Sequence, residues 1–281
     1  MKWLVTGAGG MLGHDLLKVL AHEDVTALTR SQLDIADPAA VSQAVAGHDI
    51  VINAAAWTDV DGAETAEEQA TLINGVAVGY LAQACEANGA KLLQVSTDYV
   101  LNGHATSPYP EDAPTGPLNA YGRGKLVGET AALSIAGGYV IRTEWLYGEH
   151  GKNFVSTMLK LSAQREFLDV VDDQLGQPTW SLALAEQLVA LGLSDAPPGV
   201  YHGTAAGEVT WHGLAQAVFS LAGLDPQRIR PVSSSAFPRP APRPSYSVLG
   251  HGRWLAAGLA PQAPWEDQLK AALPALLSQA R

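Results

Sequence analysis

Three glycines spaced three residues apart constrain the fold of this chain more than any other feature. Gly7, Gly10 and Gly13 lie in TGAGGMLG, directly after the short apolar run KWLVT and at the start of a helical pattern of apolar residues over 11–20. In a strand–turn–helix unit such glycines allow a tight turn, backbone approach to a pyrophosphate, and close helix packing. No Lys-Ser or Lys-Thr pair follows, so a mononucleotide P-loop is excluded. The pattern predicts a dinucleotide site, with an ordinary glycine turn as the alternative.

The alternation of strand and helix continues through the first half of the chain. Continuously apolar runs predict strands at 25–29, 49–54, 91–96 and 139–143, with a helix from Pro38 capped by Asp37 and a long helix ending near Gly89. Such strands alternating with helices are typical of a parallel sheet covered on both faces. We therefore predict an α/β protein with a doubly wound, Rossmann-like parallel sheet and assign residues 1–147 to a dinucleotide-binding domain.

Beyond residue 148 the pattern loosens, and residues 148–281 are predicted to form mainly a smaller substrate-binding lobe. Segments at about 165–195 are expected to return to the first domain. Residues 231–244 contain five prolines and three serines, which exclude a helix and predict an extended, loop-like course. This segment is either a linker or a binding loop that its prolines stiffen.

The cofactor type is indicated at the end of the second strand. An NAD site usually has an acidic residue there for the ribose 2'-hydroxyl, but this chain has Thr29 and Arg30, which suit the 2'-phosphate of NADPH. A solvated surface arginine is the alternative, and NADH stays open as a second cofactor. The other predicted cofactor-binding residues are Met11 and Leu12 at the helix start, Asp34 and Ile35 beside the adenine, and Ala54, Ala55 and Ala56 after the third strand.

Thr97, Tyr121 and Lys125 are the candidate catalytic residues. Tyr121 and Lys125 are four residues apart in YGRGK, so on a helix they share one face, and a neighbouring ammonium is expected to lower the pKa of the phenol. Tyr121 could then protonate a carbonyl oxygen, with Thr97, at the end of the fourth strand, bonding the same oxygen. After a glycine fingerprint, this set predicts carbonyl reduction.

Composition excludes several function classes. The formal net charge of −11 leaves no broad basic face for nucleic acid, and the one cysteine, Cys85, allows no disulfide within the chain. The N-terminus is not a signal peptide and no apolar run is long enough to span a bilayer, so we expect a cytoplasmic protein without a membrane partner. The eight histidines lack zinc-site spacing, so no metal site is predicted.

Several longer segments resemble one known family. TGAGGMLG, VINAAAWTDVDGAE, STDYVLNG, PLNAYGRGKLVGE, VVDDQLGQPTW and PRPAPRPSYS are together similar to the dTDP-4-dehydrorhamnose reductases, within the extended short-chain dehydrogenases/reductases. The resemblance covers nearly the whole chain. It implies NADPH-dependent reduction of the C4 keto group of a nucleotide sugar, dTDP-4-dehydro-L-rhamnose.

The resemblance also implies roles for individual residues. Thr97, Tyr121 and Lys125 become a catalytic triad in which Lys125 also contacts the nicotinamide ribose. Arg243 would meet the nucleotide diphosphate, and Asn74 either supports the site or is an ordinary packed helix residue. The residues expected to line the sugar or its path are Asp98, Tyr99, Trp145 and Asn153.

The chain departs from the family pattern at two positions, and some questions stay open. Glu144 replaces a small polar residue and Tyr246 replaces an asparagine, which puts the sugar and base contacts in doubt. Magnesium at a subunit interface is described for some members, and Asp15 is the one counterpart here. A homodimer is one candidate assembly. The competing functions are a sugar epimerase or dehydratase that retains its NAD, and a non-catalytic NADP-binding regulatory subunit.

Overall fold

The computed structural model describes residues 1–279 of the chain, and in that part it has twelve β-strands and eleven α-helices. The strands are β1 Lys2–Thr6, β2 Asp24–Leu28, β3 Ile50–Asn53, β4 Lys91–Thr97, β5 Gly138–Thr143, β6 Leu146–Tyr147, β7 Leu168–Val171, β8 Leu175–Gly176, β9 Thr179–Trp180, β10 Gly199–His202, β11 Val209–Thr210 and β12 Ile229–Val232. The α-helices are α1 Met11–Val19, α2 Pro38–Val45, α3 Val60–Ala63, α4 Glu67–Thr71, α5 Ala77–Asn88, α6 Ala120–Ala132, α7 Phe154–Ser162, α8 Ser181–Leu193, α9 Trp211–Leu221, α10 Gly252–Ala256 and α11 Trp265–Gln279.

Six parallel strands form the central sheet in the order β2-β1-β3-β4-β5-β10. All residues of β3 and β5 are buried, as expected for strands covered by helices on both faces. The five strands predicted in the first half of the chain are confirmed to within one residue at each end, and so is the α/β doubly wound fold. The order of the strands reverses between β1 and β3, which makes their carboxyl ends the place where this kind of sheet binds ligands.

Alternate residues of β1 explain why both faces of the sheet are covered. Trp3 and Val5 lie in the core with α1 and α8, whereas Leu4 points to the opposite core with α2 and α5. The helix ends also follow the sequence. The Asp37 carboxylate accepts bonds from the backbone N–H groups that open α2, and α5 ends at Gly89, which is left-handed with φ 66°.

A second core lies in the C-terminal half, where α7, α9 and α11 pack around the short parallel pair of β7 and β12. Of the segment 165–195, α8 packs on α1 of the first domain, and β9 pairs with β6 at the end of that domain. β7 stays in the second lobe because it pairs with β12. From the C-terminal half, it is β10, at 199–202, that joins the central sheet by pairing with β5. This strand lies beyond residues 165–195, the range that was expected to return to the first domain. No helix among residues 1–279 has the length and hydrophobicity to cross a membrane.

The proline-rich segment 231–244 contains no α-helix. It begins in β12, makes a short 3-10 turn at Ser234–Ala236, and then runs back to the first domain. There the side-chain amide of Asn119 donates to the Pro242 carbonyl oxygen at 2.9 Å. The segment therefore bridges the two halves of the molecule.

Candidate active site

A cleft of about 540 Å³ lies at the carboxyl ends of β1, β3 and β4, at the point where the strand order reverses. It is the place that the fold itself favours for a ligand. Most of the predicted site residues meet there. The predicted residues that line it are Gly10, Met11, Leu12, Ala54, Ala55, Ala56, Thr97, Asp98, Tyr99, Tyr121, Lys125 and Trp145.

The glycine turn forms one wall of this cleft. Gly7 has φ +70°, and a Cβ there would lie 2.5 Å from the Ala55 nitrogen, so the turn presses directly on the end of β3. A Cβ on Gly13 would likewise lie 2.5 Å from the Gly7 carbonyl oxygen. Any larger side chain at Gly7 would push the two walls of the cleft apart.

Helix α1 begins immediately after this turn. Its N-cap is Gly10, which has no side chain to cap the first N–H groups, so these groups and the positive end of the helix dipole are left for a ligand. Ala54, Ala55 and Ala56 add only methyl groups along the opposite side. A narrow, donor-rich cradle of this kind fits the pyrophosphate of a dinucleotide.

The residues predicted for the adenosine end lie outside this cleft. The Ala8 backbone N–H donates to the Leu28 carbonyl oxygen at 3.1 Å, which brings the end of β2 beside the glycine turn. Arg30 follows there and its side chain is exposed. Asp34 is also exposed and accepts a bond from the Ala36 backbone N–H at 3.0 Å, as in a loop turn. Ile35 is buried in the core against α2 and α5.

Tyr121 is carried by α6, whose N-cap Asn119 accepts a bond from the Gly122 backbone N–H at 2.8 Å. A Cβ at Gly122 would overlap the Tyr99 carbonyl oxygen, so the helix start lies close against the turn that follows β4. The Tyr99 and Tyr121 rings meet edge to face with 5.9 Å between centroids. Thr97, the last residue of β4, lines the same cleft as Tyr121.

Lys125 lies near this group but does not act as the sequence predicts. Its ammonium donates to the Val95 carbonyl oxygen at 2.6 Å, and burial lowers the pKa of Lys125 to about 8. Burial, assisted by the neighbouring Asp98, raises the pKa of Tyr121, whereas a nearby cation was expected to lower it. The expectation fails because desolvation disfavours the phenolate more strongly than any cation here favours it. The buried phenol therefore keeps its proton at neutral pH.

Asn74 does not line the cleft, but it holds the backbone of a segment that does. It lies in a π-helical turn at Leu72–Val76, and its amide bonds both backbone groups of Trp57, accepting from the N–H at 2.9 Å and donating to the carbonyl at 3.0 Å. The long helix predicted to end at Gly89 is interrupted by this turn. The two bonds fix the chain directly after Ala56.

A second cavity of about 590 Å³ adjoins the first and shares Tyr99, Trp145 and Trp211 with it. Trp145 has φ 47°, a rare conformation for a bulky residue, and its ring stacks on Trp211 with 3.5 Å between centroids. Strained backbone of this kind is commonest at functional sites. The stacked pair marks where the two cavities join.

Arg243 lines this second cavity, as does Arg239. The Arg243 guanidinium donates to the Asp61 carboxylate at 2.6 Å, which holds the pKa of Asp61 below its usual value and ties the proline-rich segment to α3. Asn153 lines neither cavity. It caps α7, accepting from the Ser156 backbone N–H at 2.9 Å and donating to the Gly148 carbonyl at 2.9 Å.

Three side chains that line the two cavities, Glu144, Trp211 and Ser247, were not among the predicted site residues. Trp211 carries no sequence signal, because it lies outside every motif quoted above. Ser247 ends the segment PRPAPRPSYS, but nothing in that segment marked it as a site residue. Glu144 was visible only as a departure from a family pattern, yet its carboxyl lines the first cleft. Tyr246, the other departure, lies near Glu208, with 3.4 Å between the hydroxyl and carboxylate oxygens.

Asp15 is engaged within the protein, since its carboxylate accepts a bond from the Ser181 hydroxyl at 2.5 Å. Within residues 1–279, no group of three or more His, Cys, Asp or Glu side chains is placed to hold a metal ion.

Comparisons with known proteins agree with this geometry. Residues 1–278 match the family model described as RmlD substrate binding domain. A dTDP-4-dehydrorhamnose reductase from Streptomyces griseus is 51% identical, over 99% of this chain and 95% of the relative. A probable dTDP-4,6-dihydroxy-2-methyloxan-3-one 4-ketoreductase from Streptomyces antibioticus is 49% identical, over 99% and 96%. The crystal structure of a dTDP-4-dehydrorhamnose reductase from Bacillus anthracis in complex with NADP is 35% identical with a TM-score of 0.92, over 98% of this chain and 99% of that one.

Proposed function

Because the chain belongs to the family of the RmlD substrate binding domain, we propose that it reduces the C4 keto group of dTDP-4-dehydro-L-rhamnose with NADPH. The observation that carries the proposal is the meeting of Thr97 and a protonated Tyr121 with the glycine cradle in one cleft. The substrate class is proposed from the names of the relatives, and the reaction type is proposed from the residues that line the cleft.

Bound NADPH supplies the hydride. The first turn of α1 and the glycine turn would hold its pyrophosphate, and the small side chains of Ala54, Ala55 and Ala56 would leave room for it beside the end of β3. Arg30 takes the 2'-phosphate at the end of β2. Lys125, whose ammonium donates to the Val95 carbonyl oxygen, would hold the nicotinamide ribose.

Tyr121 donates a proton to the C4 oxygen of the sugar, and the Thr97 hydroxyl bonds the same oxygen. The oxygen that develops negative charge during reduction is a stronger base than a phenolate, so a phenol with a raised pKa can still protonate it. Keeping the proton until that moment is what a reduction at neutral pH needs. Positioning and this proton are therefore the protein's share of the catalysis.

The second cavity accepts the nucleotide part of the substrate. Its stacked Trp145 and Trp211 rings stand at the junction, where the sugar passes from one cavity to the other. Arg243 and Arg239 provide guanidinium groups for the diphosphate, which they can grip with paired donors. Arg243 then shares its donors between Asp61 and the substrate.

A second candidate is reduction of another dTDP-4-keto-6-deoxy sugar. It is favoured by the Streptomyces antibioticus relative, which is nearly as similar to this chain as the rhamnose enzyme and is named for a different ketosugar. Glu144 lines the catalytic cleft together with Asp98, where such a difference would act.

The test is an assay of NADPH oxidation with a panel of nucleotide 4-keto sugars. We expect turnover with dTDP-4-dehydro-L-rhamnose and release of NADP⁺. Higher kcat/KM for another member of the panel selects the second candidate. Conversion with retained NAD and no net oxidation would identify an epimerase or dehydratase, and NADPH binding without turnover on any sugar would identify a regulatory subunit.

A further inference from the structure

The loop 148–152, which we call the β6 loop, lies over the start of α1. It follows β6 directly, and its first residue, Gly148, is buried, since a Cβ there would overlap the Ser181 hydroxyl and lie 3.4 Å from Met11 Cγ. A Cβ on Gly151 would likewise lie 3.8 Å from Met11 Cε. Met11 is the first residue of α1 and lines the catalytic cleft, so the β6 loop packs beside the end of the helix that faces a ligand.

Three further contacts fix the course of the β6 loop. Before the loop, β6 pairs with β9, and after it the Asn153 side-chain amide donates to the Gly148 carbonyl oxygen at 2.9 Å. In the middle, the His150 ring stacks on the His14 ring of α1, with 4.2 Å between centroids and 29° between planes. The loop is therefore held against α1, although residues 150–152 are exposed.

This arrangement places Lys152 on the wall of the catalytic cleft. Lys152 follows Gly151, whose left-handed backbone with φ +72° turns the chain, and it lines the cleft together with residues 10–13 at the start of α1. Its side chain is exposed, and within residues 1–279 no acidic group pairs with its ammonium. The two acids that line the cleft, Asp98 and Glu144, come after β4 and β5. The ammonium of Lys152 is therefore available to an anion at the start of α1.

In the part of the chain that the structure describes, Lys125 and Lys152 are the two cationic residues that line the catalytic cleft. The Lys125 side chain is buried, and its ammonium donates to the Val95 carbonyl oxygen of β4 at 2.6 Å. Arg30, the other predicted cofactor cation, lies outside the cleft at the adenosine end. Of the two lysines, Lys152 is therefore the one that is free to meet a pyrophosphate. A cation there also offsets part of the formal net charge of −11, which opposes the approach of an anionic cofactor.

The two cavities distinguish the two diphosphates that the proposed reaction brings to the protein. Arg239 and Arg243, proposed above for the diphosphate of the nucleotide sugar, line the second cavity, and Lys152 does not. Lys152 lines the first cavity, where the glycine turn and the start of α1 suit the diphosphate of a dinucleotide. A lysine ammonium is a compact point charge on a flexible stem, so its position decides which diphosphate it meets. Here the position favours the cofactor.

We propose that Lys152 binds the pyrophosphate of the dinucleotide cofactor and that the β6 loop holds it in place for this contact. The inference rests on the cofactor part of the proposed function. The pyrophosphate is common to NADPH and NADH, so Lys152 strengthens the binding of both cofactors, whereas Arg30 acts on the 2'-phosphate of NADPH alone. Lys152 takes no part in the transfer of the hydride or the proton, so its contribution is to cofactor affinity.

The test measures the dissociation constants of NADPH and NADH without substrate, by fluorescence titration of wild type and Lys152→Gln. We expect both cofactors to bind about fivefold to tenfold more weakly to the variant, because a charge-assisted hydrogen bond is lost and solvent screens part of its effect. Added salt should weaken binding less steeply in the variant than in wild type. Lys160→Gln is the matched control. Lys160 is an exposed lysine of α7 outside both cavities, so this variant should bind both cofactors as wild type does.

Two variants of His150 test the role of the β6 loop. His150→Ala removes the ring that stacks on His14, so both cofactors should bind about twofold more weakly, whereas His150→Phe keeps an aromatic ring there and should restore the affinity. In the His150→Ala background, Lys152→Gln should lower the affinity less than in wild type, because the loop no longer holds the ammonium at the cleft. Calorimetry of each variant without cofactor separates these effects from a general loss of stability. Fully additive losses would show that the loop does not position Lys152.

The outcomes separate this inference from the reductase function. If Lys152→Gln binds both cofactors as wild type does, or loses affinity for NADPH alone, Lys152 does not meet the pyrophosphate and the inference is wrong. A raised KM for the nucleotide sugar with unchanged cofactor affinity would assign Lys152 to the substrate and would also overturn it. If wild type binds NADPH but turns over no nucleotide 4-keto sugar, the reductase function fails and the inference stands. If wild type binds neither cofactor, both fail.

Discussion

The two sides of the catalytic cleft are built in different ways. The cofactor side is shaped by the backbone: a glycine turn, an uncapped helix start and three alanines lie within two neighbouring strand–turn units. The substrate side is made of large side chains, such as Trp145, Trp211 and Arg243, from segments far apart in the chain. The shape of the cofactor side therefore depends on local backbone sterics, whereas the shape of the substrate side depends on tertiary packing.

This difference decides what each side tolerates. On the cofactor side almost any added atom meets backbone, so a substitution should act on binding and stability together. On the substrate side a shortened side chain removes one contact and leaves the frame intact. Substitutions on each side, and at Tyr121 between them, test whether the contrast is real.

The largest effect is expected for Tyr121→Phe, at the boundary of the two sides. The ring and its edge-to-face contact with Tyr99 are kept, so only the proton is lost, and kcat should fall roughly a hundredfold or more. NADPH affinity and substrate KM should change little, measured by fluorescence titration and steady-state kinetics.

Tyr139→Phe is the matched control for that variant. Tyr139 is also buried, and its hydroxyl donates to the Ala196 carbonyl oxygen at 2.8 Å outside the cleft. It should lose some thermal stability while keeping kcat. If Tyr121→Phe retained most of its kcat, another group would be the proton donor.

Gly7→Ala tests the backbone-shaped side. The left-handed conformation alone costs alanine about 1–2 kcal/mol, and overlap with Ala54 and Ala55 adds to it. We expect Tm to fall by several degrees, at roughly 2–4 °C per kcal/mol for a chain of this size, and NADPH affinity to fall about tenfold or more. Calorimetry and NADPH titration measure the two effects.

Gly47→Ala provides the comparison, because Gly47 has φ +75° but a Cβ there meets nothing within 4 Å. It should show the conformational cost without loss of NADPH affinity. Equal effects of the two variants would mean that close approach at Gly7 is unimportant, and the contrast between the two sides would lose its main support.

The same contrast explains how far the sequence could be read. The five strands and the tight glycine turn before α1 follow from short, contiguous patterns whose spacing is demanded by backbone geometry, and the structure confirms them. The interruption before α5 and the return of β10 were missed, because both depend on packing against distant partners. Asn153 was expected at the sugar, but its amide is used in capping α7.

Electrostatics was the least predictable part of the site. The spacing of Tyr121 and Lys125 correctly places both residues in the cleft, yet it gave the wrong sign for the pKa of the phenol. Sequence spacing reports which groups are neighbours, whereas the pKa depends on how much water surrounds them. Glu144 likewise cannot be recognised as a buried acid until Asp98 and Ser247 are seen beside it.

Arg30→Ala examines a place where the cofactor side depends on a side chain. Only NADPH carries the 2'-phosphate, and a charge-assisted hydrogen bond contributes about 1.5–3 kcal/mol, so kcat/KM for NADPH should fall roughly tenfold or more. The value for NADH should stay within about twofold, since that cofactor has no phosphate to lose. Equal losses for both cofactors would show that Arg30 supports the fold and does not read the phosphate.

A smaller effect is expected for Arg243→Ala on the substrate side. Arg243 is held by the Asp61 carboxylate at 2.6 Å and by the Ala241 carbonyl oxygen at 2.5 Å, so its guanidinium is already positioned for a diphosphate. Losing it should raise the KM for the nucleotide sugar about fivefold, equivalent to roughly 1 kcal/mol, with NADPH affinity unchanged. Arg239→Ala should have a weaker effect, because that side chain is mostly exposed and lies 3.7 Å from Asp61. If Tm fell in Arg243→Ala while KM stayed constant, the bond to Asp61 would be a tie between the two halves of the molecule, and substrate binding would depend on the aromatic side chains alone.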